Sequence, residues 1–193
     1  MIKKASIYAI TFIMILCLCA CSAKTVENVQ TVKNDAGSVN GEIITSDELN
    51  YYIMQLRTSV INKYVNDYGI TYSDNFWNEE VSGVSAQEYL KNLAFDECVK
   101  SKIQLTKCKE YDIFDDISFS ALKAKAEKFN ADNVGKKTVG ISSIDMNVFY
   151  TYYVETGALK LKNVLVENGT IEKESDYDDY IASLIKSADI KRS

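Results

Sequence analysis

The sequence predicts an all-α fold of about five helices, with at most a short β-hairpin or strand pair. Three observations carry this. Apolar residues recur at three- and four-residue spacing in long blocks, the period of a one-sided helix. Helix-starting residues stand directly ahead of those blocks, at Thr45, Ser85, Ser118, Ser143 or Asp145, and Ser175. The chain has no proline, so nothing interrupts a long helix from within.

The chain opens on Met1-Ile2-Lys3-Lys4, a short positive region, followed by the uncharged run Ala5 to Ala20. That run is short for a membrane span, which needs about 20 residues, and it fits a signal peptide. It ends in Leu18-Cys19-Ala20-Cys21, which is similar to a bacterial lipobox with cleavage after Ala20 and lipidation of Cys21. This divides the chain into a signal peptide over 1–20, a flexible tether over 21–37 and a folded domain over 38–193. The tether is polar and small, with a root-mean-square reach of roughly 20 Å as a random coil. Acyl chains on Cys21 would hold the protein on the extracytoplasmic face of a cell membrane.

Charge and composition narrow the function classes. Removing residues 1–20 takes two lysines and no acid, leaving 20 basic against 27 acidic residues and a net charge of −7. An acidic surface argues against nucleic acid as a partner. There is no histidine, the commonest general base and transition-metal ligand. No metal-spaced cluster and no nucleophile motif stands out, so the reading is a protein that is not an enzyme and has no cofactor. Asp112, Asp115 and Asp116 lack the spacing and central glycine of a calcium loop and suit turns and helix starts better. Cys98 and Cys108 fall about 15 Å apart along one helix, beyond the roughly 7 Å a disulfide allows.

Within the domain, Asn40-Gly41 is a tight-turn signal between Val39 and Ile43-Ile44. Thr45-Ser46-Asp47-Glu48 fits a capping box, opening a helix with Leu49, Tyr52, Ile53, Leu56, Val60 and Tyr64 on one face and stopping at Gly69. Ile70 to Ser82 is a connection holding the aromatic pair Phe76-Trp77; Trp77 suits a gap between helices. Ser85-Ala86-Gln87-Glu88 is a second capping box. It starts the longest helix, Ala86 to about Tyr111, with a broad apolar arc from Tyr89 to Leu105 and a solvated face carrying Lys91, Lys100, Lys102, Lys107 and Lys109. A third helix spans Phe119 to Asn130, with Phe119, Leu122, Ala126 and Phe129 on its apolar face. A fourth runs from Ser143 or Asp145 to Asn168-Gly169, with Gly157 a weak point costing about 1 kcal/mol relative to alanine. A short strand at Thr170–Lys173 and a fifth helix capped by Ser175, striped by Tyr177, Ile181, Leu184, Ile185 and Ala188, complete the chain.

The opening V-N-G-E-I-I-T-S-D-E-L resembles the start of SurA/PrsA-type extracytoplasmic chaperones. The Phe76-Trp77 pair, the run Y-L-K-N-L-A-F-D-E-C-V-K-S-K-I-Q-L-T-K-C-K-E-Y-D-I and the ending Y-I-A-S-L-I-K-S-A-D-I are similar to the same family. The resemblance implies a SurA N-terminal or trigger-factor-C-like helical chaperone module whose last helix closes back on the first. The parvulin-type isomerase domain of full-length relatives has no room between Asn168 and Ser175, and the histidines of its site are absent. The expected function is therefore non-catalytic binding of unfolded or secreted polypeptides by a membrane-anchored lipoprotein. Tyr51, Tyr72, Phe76, Trp77, Tyr150 and Tyr152 are its candidate peptide-binding residues, Tyr51 and Tyr152 because they fall beside the core stripes. The alternative is a structural or adaptor lipoprotein docking one specific envelope or secretion partner. If Cys21 carries the lipid, Cys21→Ala releases the protein from membranes or leaves its signal uncleaved; unchanged fractionation with normal processing overturns that expectation.

Overall fold

A computed structural model describes residues 35–135, 141 and 143–193. The signal peptide, Cys21 and most of the tether lie outside the described residues. The fold is mostly helical with a small antiparallel sheet, and the sheet begins before the expected domain start. β1 (Asp35–Val39) takes in residues 35–37, assigned above to the tether. Asn40 and Gly41, with φ of 50° and 84°, form the two-residue turn into β2 (Glu42–Thr45).

The helices are α1 (Ser46–Tyr68), α2 (Ala86–Glu110), α3 (Phe119–Asn133), α4 (Met146–Glu167) and α5 (Tyr177–Ser187). Gly69 ends α1 in the left-handed conformation, at φ 70°. Ser85 caps α2 through the Glu88 amide, so the serine half of the second capping box forms. α5 starts later than expected, after a 3-10 turn over Glu174–Asp176, and Asp176 rather than Ser175 occupies its N-cap position.

Strand content exceeds expectation. β3 (Glu80–Val81) and β4 (Val84–Ser85) make a second hairpin around Ser82-Gly83, both at positive φ. β5 (Ile190–Arg192) follows α5 and pairs with β1, giving the order β2-β1-β5. The expected strand at Thr170–Lys173 does not form; those residues are bends. The segment is occupied otherwise: Asn168 Oδ1 accepts from the Thr170 amide, and Ile171 is buried with Leu161, Leu165 and Tyr177.

β5 is fixed on three sides. The Asn40 amide donates to the Asp189 carbonyl (2.8 Å), and the Asp189 amide donates to Asn40 Oδ1 (2.9 Å). Arg192 reaches Asn92 (2.7 Å) and Asp96 (2.6 Å) on α2, its guanidinium lying 4.3 Å from the Phe95 ring centre. Gly37 sits under this strand, where a Cβ would stand 2.3 Å from the Lys191 carbonyl oxygen. The two ends of the domain thus meet in the sheet. The closing helix itself lies mainly on α2 and α4, with Ile181 beside Cys108, Leu161 and Leu165, while its Leu184 and Ile185 join the cluster that also holds Leu49 and Tyr52 of α1.

α2 is the common wall. Its Leu90 packs with Val60, Tyr64 and Phe76; its Phe95, Val99 and Ile103 pack with Val39 and Ile44; its Cys108 meets α4 and α5. Both Cys98 and Cys108 are free and buried. Gly157 is a close-approach position, since a Cβ there would stand 2.7 Å from the Phe114 ring and 3.1 Å from Cys108 Sγ. Phe129, expected on the apolar face of α3, is instead exposed near the helix end.

One lysine departs from the solvated face. Lys102 is 4% exposed, and its Nζ lies 2.7 Å from Oε1 of Glu48, itself 1% exposed. The other oxygen of Glu48 accepts from the Thr45 amide (2.9 Å), while the Glu48 amide donates to Thr45 Oγ (3.2 Å), completing the first capping box. The Tyr150 hydroxyl on α4 also donates to Oε1, at 3.4 Å. One carboxylate therefore joins α1, α2 and α4.

Removing one partner of a buried ion pair leaves an uncompensated charge. Lys102→Met should lower unfolding free energy by about 3–5 kcal/mol in denaturant melts. A loss below about 1 kcal/mol, typical of exposed pairs, would show that the pair is solvated.

Candidate functional site

α1, α2 and α4 do not close completely on one another. Between them lies an open cleft of about 380 Å³, within the usual range for ligand sites. Its origin is in the sequence of α2. Glu97, Lys100, Ser101 and Gln104 follow i, i+3, i+4, i+7 spacing, the positions of a helix contact stripe, but they are polar. On α4 the matching stripe is Thr151, Val154, Glu155 and Ala158, short or polar again. α1 supplies Tyr51, Tyr52, Gln55 and Leu56.

Hydroxyl pairs tie the walls together. The Tyr52 and Ser101 hydroxyls bond across α1 and α2, and the Tyr51 and Thr151 hydroxyls across α1 and α4. Thr151 donates its own proton to the Asn147 carbonyl (2.8 Å), so Tyr51 is the donor in its pair. Tyr51 meets Tyr52 and Tyr150 edge-on, with ring centres 4.8 and 4.9 Å apart. Gln104, 7% exposed, donates an amide N–H to the Tyr177 hydroxyl (3.1 Å).

Burial governs the electrostatics of the cleft walls. Burial raises the Tyr51 phenol pKa, with the Glu155 charge adding to it, and burial likewise raises Tyr52. Tyr150 is pushed well up, by burial first and then by the Glu48 carboxylate. Burial pushes the Cys108 thiol up to about 12 and moves Cys98 in the same direction, which keeps both thiols protonated and poorly nucleophilic. The cleft offers hydrogen-bond donors and acceptors, aromatic edges and a short apolar strip from Leu56, Val154 and Ala158.

The six expected peptide-binding residues do not converge on one face. Tyr51 lines the cleft but is 6% exposed, and Tyr150 lies beneath it at 1%, so both are core residues rather than exposed ones. The spacing argument for Tyr51 failed because α4 covers that side of α1. Phe76 is fully buried against Tyr64, and Trp77 is half-buried with the Arg57 guanidinium 4.6 Å from its ring centre. Tyr72 stays exposed beside Phe76. Tyr152 is 63% exposed, off the cleft. Sequence reasoning missed Tyr52, Gln55, Gln104 and Thr151. The polar stripe over Glu97 to Gln104, inside an otherwise apolar helix, was the available signal.

No protein-family model, no curated protein and no solved structure matches this chain.

The placement of the tyrosines separates their effects on stability. Tyr51→Ala should cost about 3–5 kcal/mol through loss of buried volume, and Tyr51→Phe about 0.5–1.5 kcal/mol through the Thr151 hydrogen bond. Tyr152→Ala should stay within about 0.5 kcal/mol. Equal effects of Tyr51→Ala and Tyr152→Ala in thermal melts would contradict this burial pattern.

Proposed function

We propose that the protein is a membrane-anchored extracytoplasmic lipoprotein that binds unfolded or secreted polypeptides as a non-catalytic, chaperone-like module of the SurA/PrsA kind. The observation that carries this reading is the cleft between α1, α2 and α4. It is an open cleft and not an enclosed cavity, so its lining is within reach of a ligand from solvent. Gln55 and Gln104 each bring an amide, the same donor and acceptor pair as a peptide bond, which recognises backbone whatever the side chains. Tyr52 and Leu56 supply apolar and aromatic surface with no demand for one shape of side chain. A lipidated Cys21, followed by the polar tether, would hold such a cleft near a membrane surface, within reach of unfolded secreted chains.

Site-specific photocrosslinking tests the reading. A benzophenone amino acid at Gln55, on the cleft, should crosslink several unrelated unfolded clients, with yields several-fold above those from the same group at Tyr152. Equal yields at the two positions overturn the assignment of binding to the cleft. Capture of one folded partner alone, in stoichiometric amount, overturns the chaperone reading in favour of the adaptor.

A further inference from the structure

We infer that the outer face of α4 pairs two copies of this chain, with their α4 helices antiparallel. This surface meets the cleft only at its margin, so the inference is independent of what the cleft binds.

Val148, Tyr152 and Leu159 are each more than half exposed. A lone exposed apolar side chain needs no explanation, whereas a row of them on one helix face does. With Glu155, Lys162 and Val166 they recur at spacings of four, three, four, three and four, the alternation of a two-helix seam. At about 100° per residue the six stay within an arc of about 80°, opposite the buried Tyr150, Tyr153, Gly157 and Leu161. Thr151, Val154 and Ala158, which line the cleft, occupy the flank between the two sides. From Val148 to Val166 the ridge is about 27 Å long, by the helical rise.

The charges on the ridge select its occupant. Neither Glu155 nor Lys162 forms an ion pair within its own chain among the described residues. They stand about 10.5 Å apart along the helix axis, too far to pair with each other. A second copy laid antiparallel, with the two-fold axis level with Gly157, sets Val148 against Val166, Tyr152 against Lys162 and Glu155 against Leu159. Lys162 of one copy then lies between Tyr152 and Glu155 of the other, its stem along the ring and its ammonium at the carboxylate. That carboxylate is a stronger partner than the Tyr177 ring, whose centre lies 5.2 Å from the ammonium within the chain. The two-fold repeats the contact, so both charge pairs close together.

Other occupants fit less well. Parallel copies would set Glu155 against Glu155 and Lys162 against Lys162, and like charges across an interface are repelled. A lipid surface would take the Glu155 carboxylate into its apolar boundary with nothing to pair it. A contact one helix wide belongs with the small, reversible interfaces, so the pairing depends on concentration.

Sedimentation equilibrium of the full chain in density-matched detergent tests this. The wild type should fit a monomer–dimer equilibrium with a dissociation constant below about 1 mM. Glu155→Lys and Lys162→Glu, each alone, put like charges across the seam and should weaken the dimer at least about tenfold. An equimolar mixture of those two variants restores opposite charges across it, and should dimerise within about threefold of the wild type. The double reversal Glu155→Lys/Lys162→Glu should do the same within one chain, and both recoveries show that the variant chains are folded. A wild type that stays monomeric up to about 1 mM overturns the inference. So does a dimer that the single reversals leave unchanged, and so does a loss that neither the mixture nor the double reversal recovers.

Discussion

The Glu48 carboxylate is the point on which the helical assembly depends. One oxygen belongs to the start of α1, accepting from the Thr45 amide as any capping glutamate does. The other belongs to the tertiary fold, accepting from Lys102 on α2 and Tyr150 on α4. Local structure and long-range packing are thereby made to agree: the register that starts α1 is also the register that satisfies a buried ammonium. An apolar replacement of the pair could pack as well, but it would not tie the helix start to one rotational setting of α2 and α4.

That setting explains why a cleft exists at all. Ser101 and Lys102 are adjacent on α2, so the turn that points Lys102 at Glu48 also turns Ser101 toward Tyr52. The polar stripe from Glu97 to Gln104 then faces α1 and α4 in place of an apolar one. Hydroxyl pairs hold the three helices at fixed spacing where side-chain interdigitation would have drawn them together. The buried ion pair, the hydroxyl pairs and the opening follow from a single helix orientation.

The helices were legible from the sequence because each announces itself locally. Thr45, Ser85 and Ser118 cap where their side chains suggest, and Gly69 stops α1. The strands were less legible. β5 is three residues at the end of a helical run, and its partner β1 lies about 150 positions earlier; no local pattern reveals such a pairing. Ser82-Gly83 was a readable turn signal flanked by strands too short to show alternation. Lys102 was misassigned for a related reason. Spacing on α2 marks it as another surface lysine, and only the position of Glu48 in space turns it inward. Tyr51 and Tyr152 looked equivalent beside their stripes, and α4 covering α1 made one core and left the other on the surface.

β1 is the middle strand of its sheet, flanked by β2 and β5, and the chain preceding it runs directly into its first residue. Tension applied ahead of Asp35 therefore enters the domain along the axis of a strand bonded on both sides. Antiparallel hydrogen bonds lie perpendicular to that axis, so they are loaded in shear and resist together rather than opening one after another. Arg192 carries part of the load from β5 into α2 through Asn92 and Asp96. The last three-residue strand, which looks dispensable in the sequence, is in this respect the link between the domain's first strand and its central helix.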